Sequence, residues 1–217
     1  MAENNYYRDD AVFIAGRGAV LIGQVGAEAP ELDEVEQWIT AGAVGTLGDF
    51  HPLGYTSLDD LPELGSDTEG GEKKGSWEND SLRLTRVTST DTITVRPIQW
   101  SEEPLRHRFG PGTVEKNGYF QVPGVYTSSE VSMLVIIIDG GDFLVLHWPK
   151  VASSPEDSIE LDSEEFAAIP VKYTVLTMPG KPKQSVGLKA LKDSVSGQPG
   201  GDSGASTSGG PASGEAA

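Results

Sequence analysis

Val131-Ser-Met-Leu-Val-Ile-Ile-Ile-Asp-Gly-Gly-Asp-Phe-Leu-Val-Leu-His-Trp148 is the stretch on which the fold turns. Its first eight residues form a nearly continuous apolar run rich in β-branched side chains, the pattern of a strand covered on both faces. Asp139-Gly-Gly-Asp142 then separates that run from a second one, Phe143 to Trp148, and such turns favour residues tolerant of positive φ, so the segment predicts a buried hairpin. Further strands are expected on either side. Val12 to Ile22 mixes apolar residues with glycine. Leu82 to Thr88 and Thr92 to Ile98 read as a strand pair with Asp91 at their turn, Ile93 and Val95 alternating with Thr92, Thr94 and Arg96. Val171 to Met178 closes the set before Pro179-Gly180. One helix stands against these strands. Ser101 is placed to cap it, Glu102 and Glu103 fill its first turn, Arg106, His107 and Arg108 its last, and Gly110 ends it. Glu31 to Ile39 has apolar residues at helical spacing and reads either as a second helix or as an ordered loop. The expectation is a mostly-β (α+β) fold, a two-sheet β-sandwich or barrel with one flanking short α-helix.

The 217 residues give room for one medium domain and a tail. Residues 1–180 read as that domain, residues 181–193 as a basic connector, and residues 194–217 as a disordered tail. In the tail Gly, Ser, Ala and Pro leave Val195 as the one sizeable apolar side chain, too little to offset the entropy of ordering. With 16 basic and 33 acidic residues the net charge is −17, which excludes duplex DNA held by phosphate neutralisation. The acidity is concentrated in Glu28 to Glu72, which lacks Lys and Arg altogether, and in Glu156 to Glu165. Zero cysteines remove disulfides, thiolate metal sites and thiol nucleophiles, and fit a cytosol-like compartment. The polar start, Met1 to Asp10, lacks the apolar centre of a signal peptide. The run from Met133 to Ile138 is far short of the roughly 20 residues a membrane helix needs, so no membrane partner is expected.

The sequence offers little chemistry. His51, His107 and His147 stand in unrelated contexts without ligand spacing and read as surface or core-edge residues. Gly201-Asp202-Ser203-Gly204 matches a serine-protease nucleophile motif, but in a segment with nothing to hold it rigid beside a base. Gly16-Arg17-Gly18 lacks the third glycine of a dinucleotide loop. Glu69-Gly-Gly-Glu-Lys-Lys-Gly-Ser76 has the wrong spacing for a phosphate loop, and its glutamates repel phosphate. Asp139 and Asp142 read as turn residues rather than a calcium pair, and Asn79-Asp80-Ser81 is a glycosylation sequon of no consequence without secretion. Neither an enzyme, nor a cofactor, nor a metal site is expected.

The order of several features carries a resemblance. Gly18-Ala-Val-Leu-Ile-Gly23 leads through an acidic loop to Pro52-Leu-Gly-Tyr-Thr-Ser57, then Gly75-Ser-Trp77, a Thr-rich strand pair, the helix ending Leu105-Arg-His-Arg-Phe-Gly110, the buried hairpin and a last strand near Tyr173. From about Ala11 to Pro179 the chain resembles the major tail tube proteins of long-tailed, non-contractile (siphovirus-type) bacteriophages, particularly those infecting actinobacteria. The resemblance implies a structural virion protein of the tail, present in the host cytoplasm during assembly, that forms hexameric rings stacked into a hollow tube for DNA ejection. It implies as partners further copies of the chain, the tape measure protein, the tail terminator and the tail tip proteins, with viral DNA passing through the lumen without specific binding.

A ring that also stacks needs a lateral and an axial interface from one chain. The segment from Asp49 to Trp77, long and poorly periodic, is expected to supply inter-subunit contacts through Leu53, Gly54, Tyr55, Leu58, Leu61, Leu64 and Trp77. Acidic groups facing a water-filled bore repel phosphate, and Asp91, Glu156, Asp157 and Glu160 are the lumen candidates. Competing readings are a tail terminator or decoration protein of related fold, and an acidic β-sandwich that binds carbohydrate through Trp38, Trp77, Trp100 or Trp148.

Overall fold

A computed structural model describes residues 11–112 and 114–189. In chain order they form β1 (Arg17–Gly23), α1 (Leu32–Thr40), β2 (His51–Pro52), β3 (Glu63–Glu69), β4 (Lys73–Ser76), β5 (Asn79–Leu84), β6 (Thr88–Val95) and α2 (Glu102–Phe109). After these come β7 (Val114–Lys116), β8 (Tyr119–Gln121), β9 (Glu130–Asp139), β10 (Asp142–Pro155), β11 (Val171–Val175) and β12 (Ser185–Leu188).

The expected hairpin is the centre of the molecule. β9 and β10 pair antiparallel from Asp139 and Asp142 outward, and Gly140 sits at φ +59° in their turn. β1 lies along the other edge of β9, Arg17 opposite Ile138 and Gly23 opposite Ser132. At Gly18 the strands approach so closely that a Cβ would run into the carbonyl oxygen of Ile136, so this position requires glycine. The main sheet runs β2-β1-β9-β10-β11-β6-β3, with β12 also paired to β10. β10 belongs to both halves: Leu144 to His147 pair with β12, and Val151 to Pro155 with β11. The ladder to β9 shifts register between Trp148 and Val151. A β-bulge at such a shift bends the strand and increases its twist. The result is the expected sandwich-like, mostly-β arrangement, its two layers sharing one continuous ladder.

The strands at the centre read as apolar throughout because both of their faces are covered. Val20, Ile22, Met133, Val135, Leu146 and Trp148 meet Ile93, Val95, Val171 and Tyr173 inside the sandwich. On the opposite face, Leu21, Leu134, Ile136, Phe143 and Val145 are covered by Val35 and Trp38 of α1 and by Leu47 and Phe50 of the loop that follows. Each such side chain contributes about 1.5–3 kcal/mol by leaving water, which explains why α1 is a helix with one apolar stripe rather than the loop its sequence also allowed.

α2 occupies the expected residues, Glu102–Phe109, with Leu105 in the inner core and Gly110 at φ +99° after its end. Its cap differs from expectation. Ser101 has the extended backbone of an N-cap but makes no side-chain bond to the helix. The Gln99 Nε2 instead donates to its Oγ at 3.2 Å. Arg108 reaches out of the last turn and donates to the carbonyl oxygens of Glu156, Asp157 and Pro170, holding the 156–170 loop against the body.

Between Glu63 and Val95 the chain departs from the sequence reading. Asp91 is not at a turn. It lies within β6, opposite Ser66 of β3, because Thr88 to Val95 is one uninterrupted strand. Leu82 pairs instead within the β4–β5 hairpin, whose ladder closes with Ser76 opposite Asn79. The β3–β6 ladder, Gly70 and Gly71 at positive φ, and the β4–β5 ladder therefore succeed one another along a single arm with Trp77 and Glu78 at its tip. The stretch from Asp49 to Trp77 is correspondingly not one long loop but β2, a short connection and one side of this arm. β12 and its pairing with β10 fall inside residues 181–193, where the sequence suggested only a connector. The tail assigned to residues 194–217, with its Gly201-Asp202-Ser203-Gly204 motif, lies outside the described residues.

Candidate functional site

Two surface features stand out. The first is the arm itself. Every residue of β4 and β5 is exposed, and Trp77 at the tip is 98% exposed. A tip tryptophan in water forgoes the burial that makes aromatic side chains energetically useful. The second is an apolar groove of about 270 Å³ at the root of the arm, between Gly16 to Val20 of the β1 region, Val135 to Ile137 of β9, and the segment carrying Leu58, Leu61 and Leu64. Thr56, Ser57 and Leu58 form a wall shared with a second, acidic cleft lined by Asp59, Asp60, Asp157, Glu160, Asp162 and Glu165. Arg96 stands inside this cleft, 3.6 Å from Asp157 and 3.9 Å from Asp60, and ties its two walls together.

The residues singled out in the sequence separate accordingly. Leu58, Leu61 and Leu64 gather at the groove, and Leu58 also meets the cleft that holds Asp157 and Glu160. Tyr55 is 77% exposed, its backbone N–H donating to the Gln99 Oε1 at 3.2 Å, and Gly54 turns the chain there at φ +124°. Leu53 is a correction: it is 1% exposed, packed with Val20 and Ile22, and serves the core rather than any surface. Its backbone N–H bonds to the carbonyl oxygen of Val20, which draws the side chain inward.

The acidic residues differ in how far they are already engaged. Asp91 pairs with Lys183 and accepts hydrogen bonds from Ser66 and Ser89 at 2.7 and 2.9 Å, and these partners, Lys183 foremost, hold its carboxyl down at about 2. Glu156 lies 3.3 Å from Lys172. Asp157 and Glu160 are exposed at the cleft.

Two histidines are more deeply placed than the sequence suggested. His107 is buried against Tyr173, ring centres 5.5 Å apart, and loss of water pushes its pKa down to about 4. His147 places Nε2 at 3.1 Å from the Ala27 carbonyl oxygen and 3.2 Å from Ser132 Oγ, whose own proton goes to the Trp148 carbonyl. Its Nε2 therefore carries the proton, and the ring fastens the chain after β1 to β10. The four tryptophans make no platform: Trp38 and Trp148 are core, Trp77 is at the arm tip, and Trp100 donates to the Ala167 carbonyl oxygen.

Sequence reasoning missed Gly16 to Val20 and Ile137 as groove walls, since they were read only as strand, and it missed the cations of the arm. Lys73, Lys74, Arg83 and Arg86 cluster within fourteen positions of an otherwise acidic chain, and that local charge reversal was the available signal.

Among the described residues no three His, Asp or Glu side chains gather to hold a metal, and no helix is long and apolar enough to cross a membrane. The described residues thus form a β-sandwich that bears a long exposed arm beside an apolar groove and an acidic cleft. Comparison with known proteins gives the particular case. The family described as phage tail tube protein matches residues 1–190. The major tail protein Gp23 of Mycobacterium phage L5 is 37% identical over 185 residues, covering 81% of this chain and 88% of the relative. Gp23 of Mycobacterium phage D29 is 35% identical over 180 residues, with the same shares covered. The chain belongs to the phage tail tube protein family and is a structural component of the virion tail.

Proposed function

We propose that this chain polymerises with identical copies, as stacked hexameric rings, into the tube of the phage tail, through which DNA leaves the virion. The observation that carries the reading is the pairing, among the described residues, of an arm whose β4 and β5 are exposed throughout and a mainly apolar groove open at its root. A lone monomer leaves both in water, whereas association removes both from it.

Charge supports the same reading. At −17 per chain, six copies carry roughly −100, and carboxylates lining a water-filled bore keep phosphate from adhering to its wall. Asp91 and Glu156 are the groups proposed for that wall; Asp157 and Glu160, the other two candidates, line the cleft beside the groove. Asp91, Glu156 and Asp157 are each partly offset by a neighbouring cation, Lys183, Lys172 and Arg96 in turn. The ends of such a tube require other proteins, and the tape measure, terminator and tip proteins fill those roles. The tube needs no catalysis from this chain. Sedimentation of the purified protein at rising concentration, with electron micrographs of the same samples, tests the proposal: rings and tubes support it, and a persistent monomer refutes it.

A further inference from the structure

Building on the reading of this chain as a self-associating subunit, we infer that Trp77 of one copy seats in the apolar groove at Leu58, Leu61 and Leu64 of the next. In that seating the basic end of the arm lies along the acidic cleft beside the groove.

Size fits first. A cavity of about 150 Å³ is enough to bind benzene, so a groove of about 270 Å³ admits an indole ring with room for part of its backbone. The groove walls are mainly apolar, with Arg17, Thr56 and Ser57 at the polar part, which suits the large buried surface and single N–H of a tryptophan anchor at an interface.

Reach decides whose tryptophan it is. Leu64 belongs both to the groove and to the root of the arm, and Trp77 lies thirteen positions further on. At about 3.3 Å per residue along a strand, the tip stands roughly 40 Å from its own groove. Pairing of β3 with β6, and of β4 with β5, keeps it extended. A Trp77 that fills the groove therefore comes from another molecule.

Charge then selects a second copy as that molecule. The end of the arm carries Lys73, Lys74, Arg83 and Arg86 against Glu72, Glu78 and Asp80, with Lys74 3.4 Å from Glu72, a slightly positive element on an acidic chain. The cleft sharing Thr56, Ser57 and Leu58 with the groove is lined by six carboxylates and one arginine. With the tip in the groove, the arm's cations come alongside that cleft, where opposite charges steer the approach and fix its direction. A tip-to-groove contact joins two different surfaces, so it propagates head to tail, closing into a ring or continuing as a filament.

The absence of cysteine makes the contact directly testable. Ser57→Cys places a thiol on the shared wall, and Ser76→Cys places one beside Trp77 without removing it. In the double variant a short bis-maleimide is expected to give a ladder of covalent multimers, while each single variant stops at dimers or monomers. Adding Trp77→Ala to the double variant is expected to reduce the ladder at least about tenfold. Because Trp77 touches no core, that change leaves the monomer folded, which circular dichroism verifies. Tubes in the micrographs without a ladder, or a ladder that Trp77→Ala leaves intact, overturn the inference while the assembly reading stands. Monomers without a ladder overturn both.

Discussion

His107 shows how one buried side chain sets the response of the fold to acid. Its ring is 3% exposed and carries no proton until about pH 4, whereas in the unfolded chain it takes one up near pH 6.5. The unfolded state thus binds more protons between these values. The stability associated with a neutral His107 is complete above about pH 6.5 and declines as pH falls toward 4, by about 3 kcal/mol across the window. His107→Leu is expected to flatten the dependence of the urea midpoint on pH over that range, and an unchanged slope would mean the sensitivity resides elsewhere. Asp91 acts lower: its contribution is present above about pH 4 and fades as pH drops toward 2.

At the same scale, Leu53 and Tyr55 stand two positions apart with opposite roles. Leu53→Ala should cost about 2–5 kcal/mol by opening a cavity in the core, and Tyr55→Ala should stay within about 0.5 kcal/mol, both read from denaturant unfolding. The sequence did not separate them, because an apolar residue between regular elements has no periodic neighbours to say which way it faces.

At the scale of elements, legibility followed burial. The β9–β10 hairpin was evident because two apolar runs flank a turn rich in glycine, and α2 because charge at both ends complements its dipole. α1 remained ambiguous until Leu21 and Phe143 were seen to need a cover. The arm escaped notice for a physical reason. Strands exposed on both faces need no apolar alternation, so Lys73 to Leu84 carries no period of two. Asp91 was assigned to a turn because polarity is the usual mark of one, although here it hydrogen-bonds across the ladder to Ser66. The groove was equally hidden, since its walls come from β1, β9 and the segment before β3, brought together only by the sheet. Replacing Lys73 to Leu84 by Asn-Gly tests the element's role. Thermal unfolding is expected to be nearly unchanged, because β4 and β5 form a separate two-stranded sheet. Polymer formation in sedimentation is expected to be lost, and polymers from the trimmed protein would assign assembly to another surface.

For the whole molecule, a bent sheet sealed on both faces makes a rigid block, and the arm and groove make the block incomplete alone. In the proposed assembly the heterologous contact between them would give direction to a polymer, and a bore lined by carboxylates of this acidic chain would repel phosphate. The most direct test compares the intact chain with Trp77→Ala by electron microscopy and sedimentation over a range of concentration. The account predicts hollow tubes or rings from the intact chain and folded monomers from the variant. An intact chain that stays a single-copy species at every concentration, with its arm as exposed as in the monomer, would contradict it.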